Sequence, residues 1–324
     1  MKNLLCRVLS LALCAALACA LPAFAAEAEA PAADAPAHMA PVRVWGRVTR
    51  QEDGSLLLRN SDQNDPNREI VVHLAEATPV VDAVTGLPLD AAKIRDGDTV
   101  YAWVGPAMTM SLPPQASAVV VVGNLPADGA APQYYEITGL DQTATIAIYP
   151  PPPRTAVNLP VAGGEVLTIP VSAQVTPWLT KNIVTLDDLT PGTRVLVWRD
   201  SAKTVSRVLV LGNNYRGYMS WYPGGAVFVN GSALSASCKV VDGETLLPIR
   251  AVAEAVGLDV EWRPGTGAVV SQNGESVLEA MPGGRVAFSS GGSSAYACVL
   301  ENGITYVSPE ALILPLHLFP VCDA

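Results

Sequence analysis

One stretch of this chain occurs twice without a gap. Ile94-Arg95-Asp96-Gly97-Asp98-Thr99-Val100-Tyr101-Ala102-Trp103 aligns with Leu189-Thr190-Pro191-Gly192-Thr193-Arg194-Val195-Leu196-Val197-Trp198 at an offset of 95 residues. Each copy is preceded by a strand-like run, Glu69 to Leu74 and Glu165 to Ile169, and followed by another that ends on Gly-Asn, at Gly123-Asn124 and Gly212-Asn213. A stretch that recurs with its flanks is one module built twice, so any fold assigned to the first copy must also suit the second.

The first copy, over residues 41–125, reads as short strands. Val42, Val44, Gly46 and Val48 alternate with Arg43, Trp45 and Arg47, the period of two that marks a half-buried strand. Similar runs follow at Ser55 to Arg59, Glu69 to Leu74, Thr99 to Val104 and Ala118 to Gly123. Five such strands separated by turn formers predict a small antiparallel barrel of OB-like type, and the repeat predicts a second over residues 133–214.

Barrels of this type bind oligomers by stacking rings on exposed aromatics. Trp103 and Trp198 recur at the same place in the repeated strand, the behaviour of a residue that fills a core. Trp45 and the Tyr134-Tyr135 pair are left as candidate ligand contacts. The loop holding Asp62, Asn64, Asp65 and Asn67 lacks the closing Glu of an EF-hand and reads as a solvated turn. Pro150 to Pro153 reads as a stiff loop between strands.

From residue 226 the pattern changes. Val227-Phe228-Val229-Asn230-Gly231 is strand then turn, and Cys238-Lys239-Val240-Val241 followed by Asp242-Gly243 carries a hairpin signature. Next, Pro248 suits a first helical turn and Gly257 the position just past a helix end. Ile249, Val252, Ala253 and Val256 between them are spaced to pack on a sheet, with Arg250 and Glu254 together on the other side. Leu258 to Trp262 then returns as a strand.

These residues resemble the copper amine oxidase N-terminal-like domain, also called the stalk domain, known from secreted proteins of Gram-positive bacteria. The resemblance rests on Val229-Asn230-Gly231, on Leu247 through Gly257, and on Val260-Glu261-Trp262, and it covers residues 226–318. A second, eroded copy of the helix motif runs from Gly303 to Leu312, with Ser308 and Glu310 in place of the proline and arginine, and with Pro315 cutting the helix short. The resemblance implies a small α+β stalk domain over residues 226–324. In amine oxidases the copper and the modified tyrosine belong to a separate catalytic domain. Asn214-Tyr215 is followed here by Arg216 where the cofactor-tyrosine motif needs an acid, and the sequence has no His-x-His pair.

The expected fold class is therefore mainly β: two OB-like barrels, then the stalk domain. A basic start, the apolar run from Val8 to Leu21 and the small residues Ala23 and Ala25 predict a signal peptide over residues 1–25, followed by an Ala/Pro-rich linker over 26–40. Beyond Ala25 only Cys238, Cys298 and Cys322 remain, an odd count that admits one intrachain disulfide among them. No C-x-x-C and no cysteine-adjacent histidine suggests a metal. With three histidines and no assembled acid–base or nucleophile signature, neither a catalytic residue nor a cofactor is assigned. A net charge of −10 disfavours nucleic acid as partner, and no later segment is long enough to span a bilayer. The expectation is a non-catalytic secreted or cell-envelope protein whose partner is a cell-wall polymer or another envelope protein. The alternative is a carbohydrate- or oligomer-binding protein that uses its barrels.

Overall fold

Along Val42–Arg50, Val44, Gly46 and Val48 are buried while Arg43, Arg47 and Thr49 point outward, and the same alternation organises the first module. The computed structural model describes residues 40–127, 130–141, 154–289, 291, 293, 294 and 296–321. The expected signal peptide, linker residues 26–39, Pro150 to Pro153 and Cys322 lie outside the described residues. The described residues are mainly β, with 48% strand and 6% helix.

The first module has strands β1 (Val42–Arg50), β2 (Leu56–Arg59), β3 (Glu69–His73), β4 (Val80–Asp82), β5 (Thr99–Val104) and β6 (Gln115–Gly123). β1 pairs antiparallel with β2 and β5, β2 with β3, and β5 with β6. A parallel pairing of β3 with β6 then closes a five-stranded barrel. The wholly antiparallel barrel expected from sequence is corrected at this seam. A ring with an odd number of strands cannot alternate direction at every junction, so closure by five strands demands a parallel pair. β4, which sequence reading missed, lies outside the ring and runs parallel to β6. Val44, Val48, Leu58, Ile70, Val100 and Val121 fill the interior. Gly46 lets β1 and β2 cross closely, since a Cβ there would stand 2.6 Å from the Arg59 backbone carbon.

The second module has β7 (Gln133–Glu136), β8 (Ala156–Pro160), β9 (Val166–Pro170), β10 (Gln174–Pro177), β11 (Thr193–Arg199) and β12 (Val205–Asn213). Its main sheet is four-stranded, in the order β10-β12-β11-β7, while β8 and β9 form a separate hairpin. Among the described residues this is a half-barrel, and they show no second closed barrel of the kind expected from the repeat. The described corner strands differ between the two modules. β1 pairs along its first half with β5 and along its second with β2. β7 stops at Glu136, and one isolated bridge, Ile137 to Val161, stands where the second ladder would run.

Beyond Arg216 the chain builds three small sheets and two short helices. The hairpin read at Asp242-Gly243 joins Lys239–Val241 to Glu244–Pro248. Both turn residues have positive φ, 51° and 86°, the conformation that a tight two-residue hairpin turn requires. Helix α1 (Ile249–Ala255) starts directly after Pro248 and buries Ile249, Val252 and Ala253 in a cluster with Leu247, Val270, Leu278 and Leu312. Arg250 and Glu254 pair on its outer side at 3.1 Å. Helix α2 (Glu310–Ile313) is the shortened second copy of the motif. No helix among the described residues is long and apolar enough to cross a membrane.

Candidate functional site

Residue parity on β1 puts Arg43, Trp45 and Arg47 on the outer face of the closed barrel. The β1–β5 register sets Trp45 opposite Tyr101 and Arg47 opposite Thr99. The Trp45 and Tyr101 rings stack with centroids 6.2 Å apart and an interplanar angle of 27°. The Arg43 guanidinium lies over the other part of this aromatic surface, 5.6 Å from the Tyr101 centroid. Both rings are half-exposed, and Arg43 and Arg47 are exposed. No acidic partner is described for either arginine, whereas neighbouring Arg59 is held by Glu69 at 2.8 Å. Asn60 steadies the strip from below, its Nδ2 donating to the Trp45 carbonyl oxygen at 3.3 Å and to Asp65 Oδ2 at 2.8 Å.

Two aspartates of the loop beyond Asn60 accept from its own backbone. Asp62 accepts from the Asn64 N–H at 2.9 Å, and Asp65 accepts from the Asn67 N–H at 2.8 Å. On the other side, Tyr101 borders a concavity of about 620 Å³ lined by Lys93, Asp98, Thr99 and Asn124 among others.

The structure separates the remaining aromatic candidates. Adjacent strand residues point to opposite faces, so Tyr134 and Tyr135 never form one platform. Tyr134 is only 9% exposed. It packs on Trp103 at 5.9 Å, and its hydroxyl has no hydrogen-bond partner among the described residues. Burial drives its phenol pKa well above the usual value, with the Glu136 carboxylate adding to the effect. Tyr135 stays half-exposed, its hydroxyl donating to Gln133 Oε1 at 2.6 Å.

Trp103 and Trp198 fill a core, though not that of their own modules. They turn outward into an apolar seam between the two modules, Trp103 buried and Trp198 half-buried against it, with Val120, Val122, Leu196, Leu209 and Leu211. Tyr101 packs partly against this seam, so the Arg43–Tyr101–Trp45 strip runs along its edge. Sequence reading missed Tyr101 and Arg43. The available signal was in the repeat itself: where the first copy has Tyr101, the second has Leu196, which is fully buried.

Cys238 and Cys298 are free, buried thiols in the C-terminal cluster. The Cys238 Sγ donates to the Tyr222 carbonyl oxygen at 2.8 Å. Burial pushes the Cys298 thiol up to about 11. Among the described residues no group of three or more His, Cys, Asp or Glu side chains is placed to hold a metal ion. Three surface acids pair locally, Asp187 with Arg154, Glu254 with Arg250 and Glu261 with Arg263. Exposed pairs of this kind contribute about 0–1 kcal/mol.

No curated protein matches this chain. Residues 228–313 match the family model of the copper amine oxidase N-terminal domain. The likeness thus falls on the C-terminal third, and it is to the non-catalytic stalk-type domain of that family and not to its catalytic domain.

Proposed function

We propose that this is a non-catalytic protein of the cell envelope, whose C-terminal α+β domain spaces or binds at the cell wall in the manner of a stalk. The match over residues 228–313 carries this reading, and the leader-like start of the sequence supports export. The module boundaries at 41–125, 133–214 and 226–324 are part of the proposal; separate apolar clusters support three modules, the third cluster reaching back to Met219. Co-sedimentation of the protein with insoluble wall material tests it, run beside a fragment beginning at Tyr215, which keeps the strand Gly217–Trp221 of the C-terminal core, and one ending at Asn213. Pelleting of the whole chain and of the C-terminal fragment is expected; a whole chain that stays in the supernatant overturns the reading.

A second reading makes the first barrel a carbohydrate-binding module. Its ring order β1-β2-β3-β6-β5, closed by one parallel pair, supports an OB-like assignment. The half-exposed Trp45–Tyr101 stack is the observation that favours sugar binding there. Trp45→Ala is expected to lower saccharide affinity without unfolding the protein. Unchanged affinity in a folded variant overturns this second reading.

A further inference from the structure

We infer that the outer face of β1 and β5 binds an acidic polysaccharide in which charged sugars alternate with neutral ones. A neutral ring lies on Trp45 and Tyr101, and carboxylates on either side meet Arg43 and Arg47. This inference rests on the second reading above and gives it a ligand class.

Three observations carry it. First, the strip alternates cation, ring and cation along a single strand. Arg43 and Arg47 are four residues apart, which at the strand rise places them about 13 Å from each other with Trp45 midway. A polymer of alternate charge sets one neutral ring between two carboxylates, the order in which Trp45 stands between Arg43 and Arg47. Second, the rings are prearranged. The stack with Tyr101 fixes the Trp45 indole, and its partner ring is in turn held against the seam between modules. An aromatic face already fixed in place loses little freedom on binding. Third, both arginines are exposed and have no described acidic partner, in a chain whose net charge is −10. Guanidinium is the group best shaped for two-pronged recognition of carboxylate. The chain's net negative charge weakens long-range attraction of densely charged polyanions, so single-stranded nucleic acid, with a phosphate at every unit, is the poorer fit.

The test uses the full chain in titration calorimetry, at low salt and at about 0.5 M salt, with three probes. Hyaluronate alternates glucuronate with N-acetylglucosamine; dextran is neutral; poly(U) carries a phosphate on every nucleotide. The wild type is expected to bind hyaluronate, more weakly at high salt, and to bind dextran and poly(U) at least roughly tenfold less tightly. Trp45→Ala and the double substitution Arg43→Gln/Arg47→Gln are each expected to weaken hyaluronate binding roughly tenfold or more. The arginine substitutions lie on exposed side chains, so they keep the test decisive if Trp45→Ala does not fold. Hyaluronate binding that survives both changes overturns this site and leaves the carbohydrate reading standing. Equal affinity for dextran overturns the role of the arginines, and preference for poly(U) makes the face a nucleic-acid surface instead. Binding to none of the three overturns this inference, and the carbohydrate reading falls separately if wall saccharides also fail to bind.

Discussion

The Trp198 Nε1–H donates a 2.6 Å hydrogen bond to the carbonyl oxygen of Ala83, joining the repeat strand of the second module to a turn of the first. Arg207 completes the grip. Its guanidinium lies 4.0 Å from the Trp198 ring centroid and donates to the carbonyl oxygens of Thr85 and Val84 at 2.6 and 3.1 Å.

Trp198→Phe keeps most of the apolar contact and removes the donor, leaving the carbonyl of buried Ala83 unsatisfied. The expected loss is about 1–3 kcal/mol, read as a lower midpoint in urea unfolding.

Asp82 shapes the turn that Trp198 and Arg207 hold. Burial alone would raise its pKa, but hydrogen bonds from the Thr85 backbone N–H, the Asn124 amide, the Thr85 hydroxyl and the Val84 N–H outweigh that and hold it below 3.8. A carboxyl whose pKa is depressed on folding contributes stability that is complete above the unfolded value and lost as pH falls through the folded one. Thermal melts taken from neutral pH down to about pH 3 are expected to show a shallower acid decline in Asp82→Ala than in wild type, together with a lower melting temperature at neutral pH.

Gly46→Ala forces a methyl group against the carbon, nitrogen and oxygen of the Arg59 backbone, at 2.6 to 2.7 Å. Backbone cannot rotate away as a side chain can, so the β1–β2 ladder must open. A cost of about 3 kcal/mol is expected, measured by chemical denaturation.

Cys298 is expected to resist alkylation by iodoacetamide in the native protein at pH 8 and to react on unfolding, because thiolate is the reactive form and burial suppresses it. The folded thiol, at about 11, keeps its proton where the unfolded one, near 9.0, has lost it. Its contribution to stability therefore falls as pH rises from about 9 to about 11, and Cys298→Ala is expected to flatten that alkaline decline.

Much of the first module was legible because its strands carry a period of two. The boundaries at Thr99–Val104 and Glu69–His73 fall within a residue of the runs read from sequence. α1 was equally clear, since Pro248 and the spacing of Ile249, Val252 and Ala253 mark its start and its buried face. Two kinds of information were missing. Alternation says that Trp103 and Trp198 share a face of their strands but not what covers that face, and here each module covers the other. Repeat similarity also extends only over matched residues. The corner strand lies outside the match, and among the described residues it runs only over Gln133–Glu136. At the candidate site Trp45 could be found from sequence, whereas Tyr101 and Arg43 became visible only through the β1–β5 register, which brings them to the same aromatic surface.

The seam between the modules has a consequence in time. Each half supplies apolar residues that the other hides, and the partners of Val81, Trp103, Val120 and Val122 begin at Tyr134 and end at Leu211. A ribosome adding about 5–20 residues each second takes on the order of 5 s or more to supply that far side. During that interval the first barrel, already able to close on its own strands, carries an uncovered greasy flank. Nascent chains are thus most prone to sticking together while half made, and the repeat that gives the protein its architecture also sets how long that exposure lasts.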